Sequence, residues 1–315
     1  MNILITGADG FIGRALVQRL LGAAALAGID PDRQLVLLDR RFASPPSDRR
    51  VRCVSGDLTR PEVLREALMG GADLAFHLAS VPGGAAEADF ALGLNVNVVG
   101  TLSLLEQLRA QKRRATLVFA STIGVYGVPM PEVIDESTVP APTLSYGAEK
   151  LAAEVLVSEY SRRGFIDGRS VRLPGIVARP AGSGLLSAFL SDLIRTLSGG
   201  GRFICPVSAE GRCWWMSRAC VIDNLLHAAA LDVMAQCGRR VWLLPVLHAS
   251  IAQVVATLAA TGGAEARERV TYQPDADLQA QFASYPPLNC PASLAAGFRH
   301  DGSLESLVRR ALEGP

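Results

Sequence analysis

Over the first half of the chain, short unbroken apolar runs alternate with longer stretches in which apolar residues recur at a helical spacing. Asn2-Ile3-Leu4-Ile5-Thr6 is the first run, of the kind found in strands covered on both faces. It feeds Gly7-Ala8-Asp9-Gly10-Phe11-Ile12-Gly13, and Phe11, Ile12, Ala15, Leu16, Leu20 and Leu21 then keep a helical period. Runs at Leu35 to Leu38, Val51 to Val54, Leu74 to Ser80, Thr116 to Ala120 and Ser170 to Pro174 predict five further strands. Helical stretches between Ala85 and Lys112 and from Tyr146 to Arg163 separate the later ones. Regular alternation of strand and helix predicts an α/β fold, a doubly wound parallel sheet over residues 1–174. From Gly175 the rhythm breaks into glycine-rich loops, Ala181-Gly182-Ser183-Gly184 and Gly199-Gly200-Gly201, and shorter helices. Residues 175–315 read as a smaller α/β lobe, with strands or helices free to return to the core.

Composition removes several classes of function. With 315 residues, 49% of them hydrophobic, the chain can bury one large core or two modest ones. Its net charge is +1 with acids and bases interspersed, so no nucleic-acid track and no membrane surface is expected. The chain enters its first strand without a leader, and no apolar run reaches the ~20 residues that span a bilayer. Six cysteines, Cys53, Cys205, Cys213, Cys220, Cys237 and Cys290, show no Cys-x-x-Cys pair and no histidine at zinc spacing. Reduced thiols, no metal and a cytoplasmic location are the expectation.

The chemistry gathers at strand ends. Gly7, Gly10 and Gly13 follow the first strand and open a helix, the context in which glycines let a pyrophosphate approach the backbone and the helix N-terminus. The spacing Gly-x-x-Gly-x-x-Gly is also that of a structural turn. Asp39 ends the second run, where an acid accepts hydrogen bonds from a ribose diol and repels a 2′-phosphate; Arg40 and Arg41 follow and could take one. Asp57-Leu58 and Leu78-Ala79-Ser80 lie at the next two strand ends, while His77 inside its apolar strand reads as a core histidine. Asn95 and Asn97 in the long helical stretch read as braces for neighbouring backbone. Ser121-Thr122 ends the fifth strand, and one loop later Tyr146 and Lys150 stand four residues apart, on one face of a helix. A phenol must lose about three units, roughly 4 kcal/mol, to act as a base near neutrality, and a neighbouring ammonium shifts it that way. Lysine occurs only at Lys112 and Lys150 in a chain that otherwise uses arginine.

Taken together, Thr-Gly-x-x-Gly-Phe-Ile-Gly at 6–13, Gly-Asp-Leu at 56–58, His-Leu-Ala at 77–79, Gly100-Thr101, Ser-Thr-x-x-Val-Tyr-Gly at 121–127 and Tyr146-Gly-x-x-Lys150 resemble the extended short-chain dehydrogenase/reductase family. That group contains nucleotide-sugar epimerases and dehydratases. The resemblance implies a Rossmann domain binding NAD and a C-terminal substrate lobe. It makes Tyr146 the acid/base, Lys150 its electrostatic and ribose-binding partner, and Thr122 the hydroxyl that fixes the reacting oxygen. The implied cofactor contacts are Gly7, Gly10, Phe11, Ile12, Asp39, Asp57, Leu58, Leu78, Ala79, Ser80, Tyr146, Lys150, Pro174 and Ile176. A homodimer through the helices at 88–111 and 146–163 is implied by the same likeness.

The second half departs from the sugar-nucleotide pattern. Gly175 stands where an asparagine is usual, and Arg212-Cys213-Trp214-Trp215-Met216-Ser217 retains only the arginine of the diphosphate-binding segment. Residues 161–168, Val171 to Ile176 and Arg179-Pro180 instead resemble the branch that oxidises small sugar acids of the D-erythronate kind. The implied reaction oxidises the 2-hydroxyl to a 2-oxo acid with NAD, Thr122 and Ser121 facing the substrate. A guanidinium suits the substrate carboxylate, with Arg179 and Arg212 as candidates, and Trp214 and Trp215 are candidates to wall the pocket or to pack in the core. Two rivals stay open: an epimerase or dehydratase of nucleotide sugars with tightly held NAD, and a non-catalytic NAD sensor.

Overall fold

The computed structural model describes residues 1–22, 29–30, 32–111, 113–179, 187–236, 238–262 and 264–313. The loop at Ala181-Gly182-Ser183-Gly184, with Pro180, Lys112, Cys237 and most of the Gly22 to Arg33 loop, lies outside them.

The chain divides into two compact units, residues 1–125, 144–172 and 225–242 in the first and 126–143, 173–224 and 243–315 in the second. The first unit opens with β1 (Asn2–Thr6), α1 (Phe11–Gly22), β2 (Gln34–Asp39), β3 (Val51–Ser55), α2 (Pro61–Ala67) and β4 (Leu74–His77). The long helical stretch then resolves into α3 (Gly83–Ala88), α4 (Phe90–Leu94), a π turn over Asn95–Val99 and α5 (Gly100–Ala110). After β5 (Thr116–Thr122) the chain leaves for the short β6 (Ile134–Asp135), returning as α6 (Ser145–Arg162) and β7 (Asp167–Leu173).

The large sheet has seven strands, ordered β11-β7-β5-β4-β1-β2-β3, where β11 is Val241–Leu243. Pairs β1–β2, β2–β3, β1–β4 and β4–β5 are parallel. Strand order reverses at β1 and β4, which opens a crevice at the carboxyl ends of those two strands. Leu4, Ala75, Leu117 and Phe119 pack with Leu104, Leu105 and Leu108 of α5 and Val157 of α6. The alternate residues Ile3, Ile5, Leu74, Phe76 and Val118 are buried as well, so these strands are covered on both faces, which explains the unbroken apolar runs.

The unit boundary at residues 172 and 173 lies close to the expected change of rhythm, but the second unit is not one continuous stretch. Residues 225–242 return to the first unit and supply β11, and residues 126–143 leave it. Within the second unit, β8 (Gly175–Ile176), β10 (Arg212–Met216) and β12 (Leu247–Ser250) form a sheet, β10 in its centre. β9 (Phe203–Cys205) pairs with β13 (Val270–Tyr272), and β6 with β14 (Leu288–Asn289). Trp214 and Trp215 are both fully buried, their indole N–H groups donating to the Pro286 carbonyl at 2.7 Å and the Ala249 carbonyl at 2.9 Å. Neither is the pocket wall considered for them: each is a core side chain with its one donor satisfied.

Candidate active site

The glycine turn lies at the reversal of the sheet. Gly7 has φ of 69°, and a Cβ there would lie 2.7 Å from the Ala79 nitrogen, backbone with no freedom to yield. A Cβ on Gly13 would lie 2.1 Å from the Gly7 carbonyl oxygen, so α1 and the turn meet at bare backbone. Gly10 donates its N–H to the Gly7 carbonyl at 3.1 Å, leading into Phe11 and Ile12 at the N-terminus of α1. This cradle fits a dinucleotide: close backbone, amide donors at a helix start and an acid at the end of the neighbouring strand. That acid, Asp39, accepts from the Asp9 amide at 2.9 Å and the Arg40 amide at 2.7 Å.

Asp57 accepts from the Thr59 amide at 2.9 Å and hydroxyl at 2.8 Å, which closes the turn into α2. Leu58 is buried and would obstruct a Cβ at Gly100, 2.8 Å away. Leu78, Ala79 and Ser80 are partly exposed beyond β4. Leu78 donates to the Thr6 carbonyl at 3.1 Å and Ala79 to the Thr6 hydroxyl at 3.3 Å. Pro174 and Ile176 belong to the second unit, Ile176 buried in β8 in register with Met216 of β10.

His77 is the core histidine that its strand suggested. Thr101 donates its hydroxyl to the Asn97 carbonyl at 2.7 Å, so it must accept from His77 Nε2 at 2.9 Å. The neutral ring then accepts at Nδ1 from the Thr6 hydroxyl, 2.6 Å away. Burial, assisted by the charge of Lys150, pushes the His77 imidazole down to about 3, so it stays neutral. Its role is to fix Thr6 and, through it, Ala79.

Tyr146 and Lys150 stand one turn apart on α6. Lys150 is 1% exposed, its Nζ donating to the Ala120 carbonyl at 2.9 Å, 4.7 Å from the centre of the Phe119 ring and 5.7 Å from that of Tyr146. Burial pushes its ammonium down to about 7, against the opposing pull of Glu149 and Glu154. Thr122 ends β5 and accepts from the Gly124 amide at 3.0 Å, leaving its hydroxyl proton for another acceptor. Gly83 packs against Tyr146: a Cβ there would lie 3.9 Å from the tyrosine Cβ.

Ser121 is placed otherwise than expected. Adjacent strand residues point to opposite faces, and its hydroxyl is buried and donates to Glu154. Glu154 in turn receives Arg172 Nη2 at 2.7 Å and Nε at 3.0 Å. Ser121 therefore belongs to a buried ionic network behind β5, away from the face that Thr122 takes.

Glu149 is a residue the sequence did not single out, although it stands beside Lys150. Its Oε2 accepts from Asn97 Nδ2 at 2.6 Å. Asn97 also binds both backbone groups of Val81, accepting from its N–H at 2.8 Å and donating to its carbonyl at 3.0 Å. The expected backbone brace is thus present at Asn97, and it is anchored on α6. A Cβ at Gly93 would lie 2.5 Å from Glu149 Oε1, so Gly93 makes the slot that the carboxylate occupies.

The candidate carboxylate ligands lie in the second unit. Arg179 is partly buried, with Nε on the Ile176 carbonyl at 3.2 Å, and follows Ala178, whose φ of 60° is unusual for a residue with a side chain. Arg212 begins β10 and is exposed. Among the described residues, no group of three or more His, Cys, Asp or Glu is placed to hold a metal, and no helix is long and apolar enough to cross a membrane.

Hydride transfer to a nicotinamide calls for a dinucleotide cradle, and the first unit supplies its elements. The class is that of NAD-dependent oxidoreductases. Residues 3–214 match the NAD dependent epimerase/dehydratase family, and the chain belongs to that family. Over its full length it is similar to D-erythronate dehydrogenase from Cupriavidus necator, 37% identical with 99% of this chain and 98% of that one covered. The D-erythronate dehydrogenase of Haemophilus influenzae is 33% identical, with 99% of each covered. Among solved structures, a nucleoside-diphosphate-sugar epimerase from Agrobacterium tumefaciens superposes with a TM-score of 0.91 at 31% identity, over 98% of this chain and 92% of that one.

Proposed function

We propose that the protein oxidises the 2-hydroxyl of a small, D-erythronate-like sugar acid to the 2-oxo acid. The full-length likeness to two D-erythronate dehydrogenases supports the substrate class. The observation that carries the chemistry is Lys150, an amine with almost no exposure held one helical turn from Tyr146. Glycine-turn amides and Asp39 hold the NAD, which when bound supplies the hydride acceptor. Thr122 and Tyr146 hold the substrate C2 oxygen. Tyr146 takes the hydroxyl proton as C2 gives up its hydride, so that one proton and one hydride leave and a C=O bond forms. Lys150 stabilises the phenolate that receives the proton. Arg179 or Arg212 pairs with the carboxylate.

The likeness to the Agrobacterium tumefaciens epimerase favours a second reading, in which NAD stays bound and is reduced and reoxidised within each turnover. One assay separates the two. Steady NADH formation from NAD and D-erythronate, reduced by about 10²-fold or more in Tyr146→Phe, is the expected result. Conversion of a sugar nucleotide without NADH release would replace the first reading by the second.

A further inference from the structure

Asp9, inside the glycine turn, makes contacts that the cradle alone does not require. Its amide donates to Asp39 Oδ2 at 2.9 Å, so the turn and the acid at the end of β2 are one hydrogen bond apart. Its carboxylate accepts from the Ala43 amide at 3.1 Å, which draws the segment after β2 toward the turn. It also receives Arg14 two-pronged, Nε on Oδ1 at 3.0 Å and Nη2 on Oδ2 at 2.9 Å. Arg14 Nε reaches the Asp9 carbonyl too, at 2.8 Å.

We propose that Asp9 is a specificity-determining residue which, by holding Arg14 beside Asp39, excludes a cofactor bearing a 2′-phosphate. The inference rests on NAD as the cofactor and is independent of the substrate. An acid at the end of β2 binds the adenosine ribose diol, so a 2′-phosphate would arrive among Asp9, Asp39 and Arg14. Two carboxylates outweigh the one guanidinium they share, and the phosphate would bring a charge near −2. Arg14 is the group that could receive it: its side chain is 52% exposed, and among the described residues Asp9 is the acid that engages its fork within hydrogen-bonding distance, through Nε and Nη2. The Asp39 charge acts on the same guanidinium, holding its proton more firmly after the hydrogen bond and charge of Asp9. Arg40 and Arg41 then do not decide the preference alone, because the Arg14 guanidinium is already paired with Asp9.

The test is the ratio of NADP to NAD dissociation constants, measured calorimetrically on the protein without substrate. Asp9→Asn is expected to shift that ratio toward NADP by about tenfold or more, the worth of one charge-assisted hydrogen bond. In Asp9→Asn/Arg14→Gln the gain should vanish, because the freed guanidinium is its source. Asp9→Ser is measured alongside, so that a folding defect of one side chain is not read as a loss of selectivity. A ratio within about twofold of the parent in both Asp9 variants, or a gain that persists without Arg14, would overturn the proposal.

Discussion

Lys150 shows what a buried charge contributes at the scale of one residue. The unfolded chain holds the lysine proton up to the ordinary value of 10.5, whereas burial makes the folded chain release it at about 7. Between those values the unfolded state binds more protons, so stability rises with pH across the window; below about 7 the folded protein carries the full penalty of the buried ammonium. Lys150→Met is expected to unfold several degrees above the parent at about pH 6, the advantage shrinking toward about pH 10. NADH formation should fall by about 10²-fold or more in the same variant. Thermal melts across pH check the first claim, and a constant difference at every pH would contradict it. Lys150 was legible in the sequence because a helical period and a four-residue spacing suffice to place it beside Tyr146. Ser121 and Thr122 were not separable in that way, since which of two adjacent hydroxyls faces the crevice is fixed by how β5 sits on α6. Burial decides it, and Glu154 lies 33 residues further along the chain.

Among the elements, the π turn at Asn95–Val99 is the least legible and the most consequential. Its apolar spacing reads as one continuous helix from Ala85, and nothing local announces that Asn97 will be presented to Val81 and Glu149 together. The result is a closed circuit: α6 carries Glu149, Glu149 holds Asn97, Asn97 clamps the Val81 peptide, and Gly83 two residues on rests against Tyr146. A glutamine keeps the length of Glu149 and an oxygen to accept from Asn97, whereas an alanine removes both. Glu149→Ala is therefore expected to lower kcat about tenfold while Glu149→Gln stays within about threefold of the parent, and Asn97→Ala added to Glu149→Ala should cost little more than either alone. Steady-state kinetics of the parent and the four variants check this; equal loss in the alanine and glutamine variants would show that geometry is not what Glu149 provides. Sheet strands with long apolar runs were readable, whereas β6, β8 and β14, two residues each, exist only through their partners.

For the molecule as a whole, several of the large apolar residues left exposed lie together in the helical stretch from Phe90 to Leu102 and on α6. Phe90 and Leu94 of α4, Val99, Leu102 of α5 and Val155 of α6 are all exposed, Phe90 and Val155 by 61% and 62%. A second copy of the chain is the expected cover for such a surface. The parent is expected to sediment as a dimer and Phe90→Asp/Val155→Arg as a monomer; equal sedimentation of both proteins would remove the assignment. The division into units was legible only in part, because a change of rhythm near residue 174 marks where the chain leaves the sheet but not that residues 225–242 come back. That return governs the order of biosynthesis. Until Val241 emerges, β7 is the last strand of a six-stranded sheet, with a row of unpaired N–H and C=O groups on its open edge. Its neighbour arrives only after the stretch from Leu173 to Asn224 has been made. A nascent chain stopped at the end of the apparent cofactor domain would present that edge to any other strand, so the natural cutting point in the sequence is a poor place to cut the protein.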